Sequence, residues 1–202
     1  MGIVSSTTMT VLFASLNYEA REIPVLEIAA VQRLYEDNPD YFFAVHGDGP
    51  EADAAQREFD ELPPAHLGYT QRWFAGLYDR LATLIGVVVV VSDLAAPGVW
   101  HIAFFLVATA LHGTGVAAEI YTALEAWAIR SGAKWLRLGV VQGCARPERF
   151  WQKQGFHEAR VRGDVIAGEG AVVRVLVKPL GAAGLEEYLE AVPRDRPNSS
   201  LP

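Results

Sequence analysis

The sequence predicts an α/β protein in which one mixed, twisted sheet carries helices on both faces. Apolar segments of strand length alternate with amphipathic helical segments along the chain. A run of five valines at 87–91 is typical of a strand buried on both faces. A glycine-bearing turn at 112–117 joins an apolar strand to a helix. We expect one domain over residues 1–182, followed by a short helix and a frayed tail over residues 183–202.

The N-terminal part is predicted to contain one short strand and two helices. Residues 10–15 favour the strand. Residues 24–36 and 51–62 favour helices, because prolines end both segments and the second carries an apolar stripe. Between these helices, residues 41–45 are apolar and end in a glycine-containing turn.

The rest of the chain alternates strands with helices. Strands are predicted over residues 72–78, 82–91, 99–108 and 134–141, and a hairpin over residues 157–162 and 171–177. The helix after the turn shows three- and four-residue spacing of Ile120, Leu124, Trp127 and Ala128, and Gly132 ends it. A further helix is expected around Pro147. Residues 185–192 predict a short docking helix, and the chain from Pro193 onward is expected to fray.

Composition limits the possible function classes. Of the 202 residues, 51% are hydrophobic and 20% charged, as in an ordinary globular protein. The net charge of −7 argues against nucleic-acid or anionic-membrane binding and mildly favours a neutral or cationic small-molecule partner. Cys144 is the single cysteine, so no intramolecular disulfide forms. A single cysteine suits a reducing compartment, and the sequence shows no long apolar run and no basic signal region, so we expect a cytoplasmic protein.

The turn at 112–117 has the chemistry of an anion site. Gly113 and Gly115 let backbone N–H groups point into one concavity, and the following helix adds the positive end of its dipole. A phosphate or pyrophosphate is the expected ligand. A Rossmann dinucleotide site is disfavoured, because the turn lies in mid-chain and lacks a third glycine.

Two motifs in order resemble those of the GNAT acyltransferase superfamily. The turn is similar to the family's Q/R-x-x-G-x-G/A pattern, with His112 in place of the leading Gln or Arg. The family's N-x-x-A-x-x-[LF]-Y-x-x-x-G-F pattern aligns downstream with Cys144, Pro147, Phe150, Trp151, Gly155 and Phe156. There Cys144, Pro147 and Trp151 replace Asn, Ala and Tyr. The resemblance covers residues 84–178.

The resemblance implies a GNAT fold, whose mostly antiparallel sheet is splayed at an acyl-CoA site. Acetyl-CoA would be the cosubstrate, with no metal. The implied coenzyme-binding residues are Leu106, Val107, His112, Gly113, Thr114, Gly115, Val116, Ala117, Cys144, Arg146, Arg149, Phe150 and Trp151. Backbone N–H groups near Leu106 and Val107 would stabilise the oxyanion.

His101 is the predicted catalytic base. The family's strand glutamate would fall at Ala103 or His101, and a histidine titrates near neutrality. Strand alternation predicts that His101, Ala103, Phe105 and Val107 share one face. The alternative is an inert histidine packed beside Trp100. Water or a carboxylate would then take the proton; the acidic candidates are Glu36, Asp37, Asp40 and Asp93.

Trp151 stands where the resemblance implies a tyrosine that protonates the leaving thiolate. An indole N–H is not a practical acid, so Trp151 is predicted to line the pantetheine arm as a pocket wall. The thiolate would then leave without a protein acid. Cys144 offers an acyl-enzyme route, but a lone cysteine is more often a small hydrophobic residue, so direct sequential transfer is predicted.

Two functions remain open at this point. The first is an N-acetyltransferase that acts on a primary amine of a small molecule. The second is a catalytically inactive acyl-CoA-binding sensor, suggested by the missing tyrosine and strand glutamate. A homodimer is also expected, through residues 171–177 or 185–192, since a valine-rich terminal strand and an amphipathic helix would gain from cover.

Overall fold

Among the residues that the structure describes, eight strands form one open sheet in the order β1-β2-β3-β4-β5-β6-β8-β7. The structure is a computed structural model that describes residues 10–163 and 172–201. The strands are β1 Val11–Ala14, β2 Tyr18–Glu22, β3 Gln71–Asp79, β4 Leu84–Ser92, β5 Val99–Val107, β6 Trp135–Val141, β7 His157–Gly163 and β8 Val172–Pro179. Neighbouring strands are antiparallel except for the parallel pair β5 and β6. The predicted mixed, mostly antiparallel sheet is confirmed.

Six α-helices in the described part of the chain cover the sheet. They are α1 Ile28–Asp37, α2 Asp40–His46, α3 Ala54–Asp60, α4 Val116–Arg130, α5 Ala145–Lys153 and α6 Leu185–Ala191. Short 3-10 turns occur at Val25–Glu27, Thr109–Leu111 and Pro193–Asp195. The apolar segment 41–45 belongs to α2. Strand β2 had no counterpart among the predicted elements, because its sequence YEARE is polar and only Ala20 in it is buried.

The valine run of β4 divides the core into two sides. Val87 to Val91 are each at most 2% exposed, which confirms a strand buried on both faces. Val88 and Val90 pack on the side that carries α4 and α5, which we call the α4 face. Val87 and Val89 pack on the side that carries α1, α2 and α3, which we call the α1 face. Helices therefore lie on both faces, as predicted. No helix among the described residues is long and apolar enough to cross a bilayer.

The predicted fraying from Pro193 onward is wrong. Asp195 is 0% exposed and accepts hydrogen bonds from Arg137 Nε at 2.7 Å and Arg137 Nη2 at 3.1 Å. Tyr188 of α6 donates its hydroxyl proton to the same carboxylate. The Arg160 guanidinium donates hydrogen bonds to three backbone carbonyls of the same segment, those of Arg194, Ser199 and Leu201. Charge pairing thus fixes a polar segment that has little apolar surface to bury.

The strand proposed as a dimer surface lies inside the sheet. Strand β8 pairs with β6 on one side and β7 on the other, so its backbone needs no further cover. Leu185 and Leu189 of α6 pack against the chain's own core. Residues 164–171, which include Ala171 of the predicted dimer surface, lie outside the described residues. The structural motivation for a homodimer is therefore lost, and the homodimer itself stays a prediction.

Candidate active site

A gap opens between the two parallel strands at the centre of the sheet. Strands β5 and β6 pair only from Val99 with Trp135 to Ile102 with Leu138. Beyond Ile102 they diverge. Ala103 is a bulged, exposed residue at this fork, because Val89 of β4 pairs with Phe104 and Val90 with Ile102. The predicted splay of the sheet is confirmed.

The C-terminal end of β5 directs backbone N–H and C=O groups into the gap. The Ala108 N–H donates to the Ile85 carbonyl at 2.8 Å, so Ala108 bonds toward β4. Peptide groups of successive residues point in opposite directions along a strand, which turns those of Phe105 and Val107 toward the gap. The peptide groups of Leu106 are directed toward β4. The Leu106 side chain lies in the core of the α1 face. Of the two residues predicted to contact the coenzyme here, Val107 has the suitable geometry.

The turn before α4 forms an open cradle of N–H groups. Gly113 has φ +81° and Gly115 has φ +93°, left-handed conformations that favour glycine. The first hydrogen bond within α4 runs from Glu119 N–H to Gly115 O at 3.0 Å, so the N–H groups of Val116 and Ala117 precede the helical ladder. A Cβ placed on Gly115 would meet no atom within 4 Å. The space above the turn can therefore receive an anion.

The Thr114 hydroxyl is not free to bind an anion in this cradle. Its Oγ1 donates to the carbonyl of Leu111 at 2.7 Å and thereby closes the preceding 3-10 turn. The Thr114 N–H also donates to the Leu111 carbonyl, at 3.4 Å, so Thr114 shapes the turn and the donors expected at the anion site are the N–H groups of its neighbours.

His112 connects the end of β5 with the start of α5, which lie on opposite sides of the gap. Its Nδ1 lies 2.7 Å from Arg146 Nη1, and its Nε2 lies 2.8 Å from the carbonyl oxygen of Val107. Arginine can only donate, so Nδ1 accepts and Nε2 carries the proton that is donated to Val107. The arrangement requires a neutral imidazole. It also holds a guanidinium from the first turn of α5 beside the anion cradle.

The remaining predicted residues of α5 are divided between surface and core. Arg149 is exposed and Phe150 is partly buried. Trp151 is only 6% exposed and packs against Phe105, with ring centroids 5.5 Å apart. Its ring also contacts Tyr121, Phe150 and Phe156. Trp151 is thus a core residue of the α4 face, and it supports the gap from behind Phe105.

Cys144 is placed as a poor nucleophile. Its thiol donates to the carbonyl of Ala44 in α2 at 3.5 Å. Burial, and then the charge of Glu148, raise the pKa of Cys144, whereas an acyl-enzyme route needs a lowered thiol pKa. The neighbouring Arg146 is engaged with His112 instead.

His101 does not share a face with Val107, so that prediction is wrong. The bulge at Ala103 adds one residue and reverses the alternation, so that Trp100, Ile102, Phe105 and Val107 pack together on the α4 face. His101 lies on the opposite face, with Nδ1 3.1 Å from the carbonyl of Arg137. Burial, followed by the Arg137 guanidinium, lowers the pKa of His101 to about 3. Such a histidine is neutral but weakly basic.

The acidic alternatives serve local roles. Asp93 Oδ1 accepts the Gly98 N–H at 2.7 Å within the β4–β5 turn. Glu36 accepts from Gln32 at 3.0 Å, and Asp37 and Asp40 are exposed at helix ends. None of these contacts brings a carboxylate into the gap.

Two residues near the gap were missed in the sequence. Asn38 is buried; its Nδ2 donates to Leu34 O at 2.8 Å, and its Oδ1 accepts from Thr109 N–H at 2.6 Å. It thereby ties the end of α1 to the end of β5. Tyr41 of α2 packs against Phe104, with ring centroids 4.8 Å apart. The Asn-Pro pair signalled a helix end, but no local pattern indicated these long-range contacts.

Family comparison agrees with this geometry. The family model described as "Acetyltransferase (GNAT) family" matches residues 31–156, more than half of the chain. The chain belongs to the GNAT acetyltransferase family. It is a GNAT-type N-acetyltransferase, with the anion cradle and the gap both inside the matched region. Comparison with curated proteins finds no match.

Solved structures of GNAT proteins share the fold at low sequence identity. An acetyltransferase from Thermus thermophilus aligns with a TM-score of 0.63 and 19% identity, over 82% of this chain and 99% of that one. An acetyltransferase from Salmonella typhimurium that modifies the N-terminal serine of ribosomal protein L7/L12 gives 0.66 and 12%, over 85% and 100%. Spermidine N-acetyltransferase from Vibrio cholerae, in complex with CoA and spermine, gives 0.61 and 14%, over 80% and 95%.

No group of three or more potential metal ligands occurs among the residues that the structure describes. The groups described at this GNAT site are backbone N–H donors and the Arg146 guanidinium, beside a gap in the sheet.

Proposed function

We propose that this acetyltransferase transfers an acetyl group from acetyl-CoA directly to a primary amine of a small molecule. The observation that carries the proposal is the continuity between the gap and the anion cradle. Strand β5 opens at Ala103, turns the backbone groups of Phe105 and Val107 into the gap, and leads within eight residues to Gly115. That path suits a long ligand with a phosphate end and an amide-containing arm.

The proposed binding mode uses both parts of the path. The pyrophosphate would accept hydrogen bonds from the N–H groups of the turn at Gly113–Ala117, and Arg146 would add a positive charge. The amides of the pantetheine arm would pair with Phe105 and Val107 in the manner of an added strand. On coenzyme binding, a pantetheine amide N–H would replace His112 Nε2 as the hydrogen-bond donor to the Val107 carbonyl. Cys144, Arg149 and Phe150 would border the arm, whereas Trp151 would support Phe105 from the core.

The proposed transfer is a direct, sequential step. The amine nitrogen attacks the thioester carbonyl, the C–N bond forms, and the C–S bond breaks with its electron pair on sulfur. An N–H directed into the gap would stabilise the oxyanion. Water would take the proton lost by the amine. The thiolate needs no protein acid, since a free thiol has a pKa of about 8.5. The weak basicity of His101 and the raised pKa of Cys144 support this route over a histidine base or an acyl-enzyme.

A Gly115→Glu variant tests the coenzyme site. A glutamate would place bulk and negative charge where the phosphates are expected, so CoA binding measured by calorimetry should be lost. Gly115→Ala is the matched control, because it carries the same strain of an L-residue at φ +93° without the charge. Its CoA affinity should stay within a few-fold of wild type. Unchanged CoA affinity in a folded Gly115→Glu variant would contradict the proposed site.

Thiol release distinguishes the transferase from an inactive acyl-CoA sensor. The wild-type protein is incubated with acetyl-CoA and a panel of primary amines, and free CoA thiol is measured. We expect amine-dependent release. The sensor function, which the buried Trp151 and the distant His101 favour, predicts coenzyme binding without release for every amine.

A further inference from the structure

The Val107 carbonyl is a buried acceptor that the sheet leaves unpaired. Val107 is 6% exposed and lies opposite Gly86 of β4 in a non-hydrogen-bonded pair, so its peptide groups point away from β4. The pairing of β5 with β6 has already ended at Ile102. A buried carbonyl without a donor costs free energy, so a group from outside the sheet has to supply an N–H. Among the described residues the His112 imidazole supplies it, with Nε2 2.8 Å from the oxygen.

His112 can release this carbonyl without disturbing the fold. Its side chain is exposed and lies in the turn before α4, between the 3-10 turn Thr109–Leu111 and Gly113. The contacts described for its ring are those with the Val107 carbonyl and with the Arg146 guanidinium. Displacement of the imidazole therefore exposes an acceptor in the gap and leaves the surrounding helices and strands in place.

The Arg146 guanidinium strengthens the hydrogen bond from His112 to Val107. Arg146 Nη1 lies 2.7 Å from His112 Nδ1, so the arginine donates and the imidazole accepts. A hydrogen bond from a cation to one ring nitrogen withdraws electron density from the ring, which makes the N–H on the other nitrogen a better donor. The same contact fixes the orientation of the ring. The three groups therefore form one hydrogen-bonded chain that runs from Arg146 through His112 to the Val107 carbonyl.

An anion in the glycine turn competes for the Arg146 end of this chain. Arg146 is exposed in the first turn of α5, and the contact described for its guanidinium is that with a neutral imidazole. A phosphate oxygen is a stronger acceptor for a guanidinium than a neutral ring nitrogen is. A phosphate bound by the N–H groups of residues 113–117 therefore attracts Arg146 away from His112 Nδ1. Because the imidazole then loses the contact that polarises and orients it, its hydrogen bond to Val107 weakens.

We propose that His112 couples the two ends of the coenzyme, so that phosphate binding at the glycine turn releases the Val107 carbonyl for the pantetheine arm. In the free protein the imidazole occupies that carbonyl. A phosphate binds Arg146, the imidazole leaves, and a pantetheine amide N–H replaces it as the donor. Each part of the ligand then binds more tightly when the other is present, so the site favours the whole coenzyme over either fragment. The inference rests on the proposed function, because it concerns the regulation of that same coenzyme site.

Separate fragments of the coenzyme test this coupling. The probes are pantetheine and inorganic pyrophosphate, and the affinity for pantetheine is measured by NMR titration of the isotope-labelled protein with and without saturating pyrophosphate. Because pantetheine carries no charge, pyrophosphate has no direct electrostatic effect on it. We expect pyrophosphate to raise the pantetheine affinity of the wild-type protein by roughly threefold, the scale of one exposed charged contact.

Two variants assign the coupling to the chain of hydrogen bonds. His112→Ala removes the competing donor, so pantetheine alone should bind about fivefold more tightly than to wild type, and pyrophosphate should add nothing. Arg146→Ala leaves the imidazole on Val107 but removes the end that senses the anion, so pyrophosphate should no longer raise the pantetheine affinity. The matched control is His66→Ala, which should keep the wild-type coupling. His66 is an exposed histidine in the loop between α3 and β3, a loop that bonds to the β4–β5 turn at the opposite end of β5 from Val107.

Equal pantetheine affinity with and without pyrophosphate in wild type would overturn the inference. Weaker pantetheine binding in His112→Ala than in wild type, or no pantetheine binding in any of these proteins, would overturn it as well. Calorimetry with intact CoA separates these results from the proposed function. If CoA binds wild type and fails to bind Gly115→Glu, the coenzyme site stands and only the coupling falls. If CoA does not bind the wild-type protein, the proposed function falls.

Discussion

Replacement of Asp195 by asparagine is expected to destabilise the protein strongly. The carboxylate is fully buried and accepts two hydrogen bonds from Arg137 and one from Tyr188. Asparagine has nearly the same shape, but it cannot neutralise the guanidinium, whose side chain is only 12% exposed. The substitution therefore leaves a buried positive charge without its partner.

The expected loss follows from this geometry. Breaking a buried ion pair by removing one partner costs roughly 3–5 kcal/mol. Because asparagine can keep one acceptor for Tyr188, we expect about 3 kcal/mol, at the lower end of that range. In a protein of 150–250 residues, each kcal/mol lowers the melting temperature by about 2–4 °C, so the melting temperature should fall on the order of 10 °C.

Urea unfolding at pH 7, followed by circular dichroism, measures the difference. The control is Glu190→Gln, which removes one negative charge from an exposed site on the neighbouring helix α6. Its free energy of unfolding should stay within about 0.5 kcal/mol of wild type. A loss below about 1 kcal/mol in Asp195→Asn would refute the reasoning, because it would mean that the C-terminal segment is not fixed by this carboxylate.

Three further predictions concern pH dependence, packing and assembly. The pKa of His101 is lowered from 6.5 to about 3 in the folded protein. Below pH 6.5 the unfolded chain therefore binds a proton at His101 that the folded chain does not bind, and the free energy of unfolding falls as the pH drops. Between pH 6.5 and 5 this costs about 1–2 kcal/mol, allowing for partial exposure, and urea unfolding of His101→Gln should lack that increment; identical pH dependence in both proteins would contradict it. Gly86→Ala would place a Cβ 2.4 Å from the Leu106 carbonyl oxygen and should cost about 1–3 kcal/mol, whereas Gly68→Ala, with no atom within 4 Å, serves as the control. A homodimer at micromolar concentration would give twice the 22.0 kDa chain mass in light scattering; a monomeric mass would remove that prediction.

Local sequence patterns were enough to predict many of the elements of the fold and the glycine turn of the site. Glycines at 113 and 115 mark a turn that needs positive φ, and the structure has φ +81° and +93° at these positions. The valine run predicted a strand buried on both faces, and the spacing of Ile120 and Leu124 predicted the helix after the turn. These features are readable because each depends on residues within a few positions along the chain.

Only the tertiary structure decided the residues around the gap. A single bulge at Ala103 moves His101 to the opposite face, because one inserted residue reverses the two-residue alternation of a strand. No local pattern reveals such an insertion, since it is defined by the pairing with β4. The same holds for the packing of Tyr41 on Phe104, which depends on where α2 docks.

The C-terminal segment shows the same division. Residues 193–201 are polar and carry prolines, a composition that by itself favours fraying. The structure fixes them through Asp195, whose partner Arg137 lies 58 positions earlier in the chain. The sequence thus determined the elements with regular periodicity and the glycine turn. Long-range pairing decided which charges are buried and which face of the sheet a strand residue occupies. The energies of both depend on neighbours that are distant in the chain.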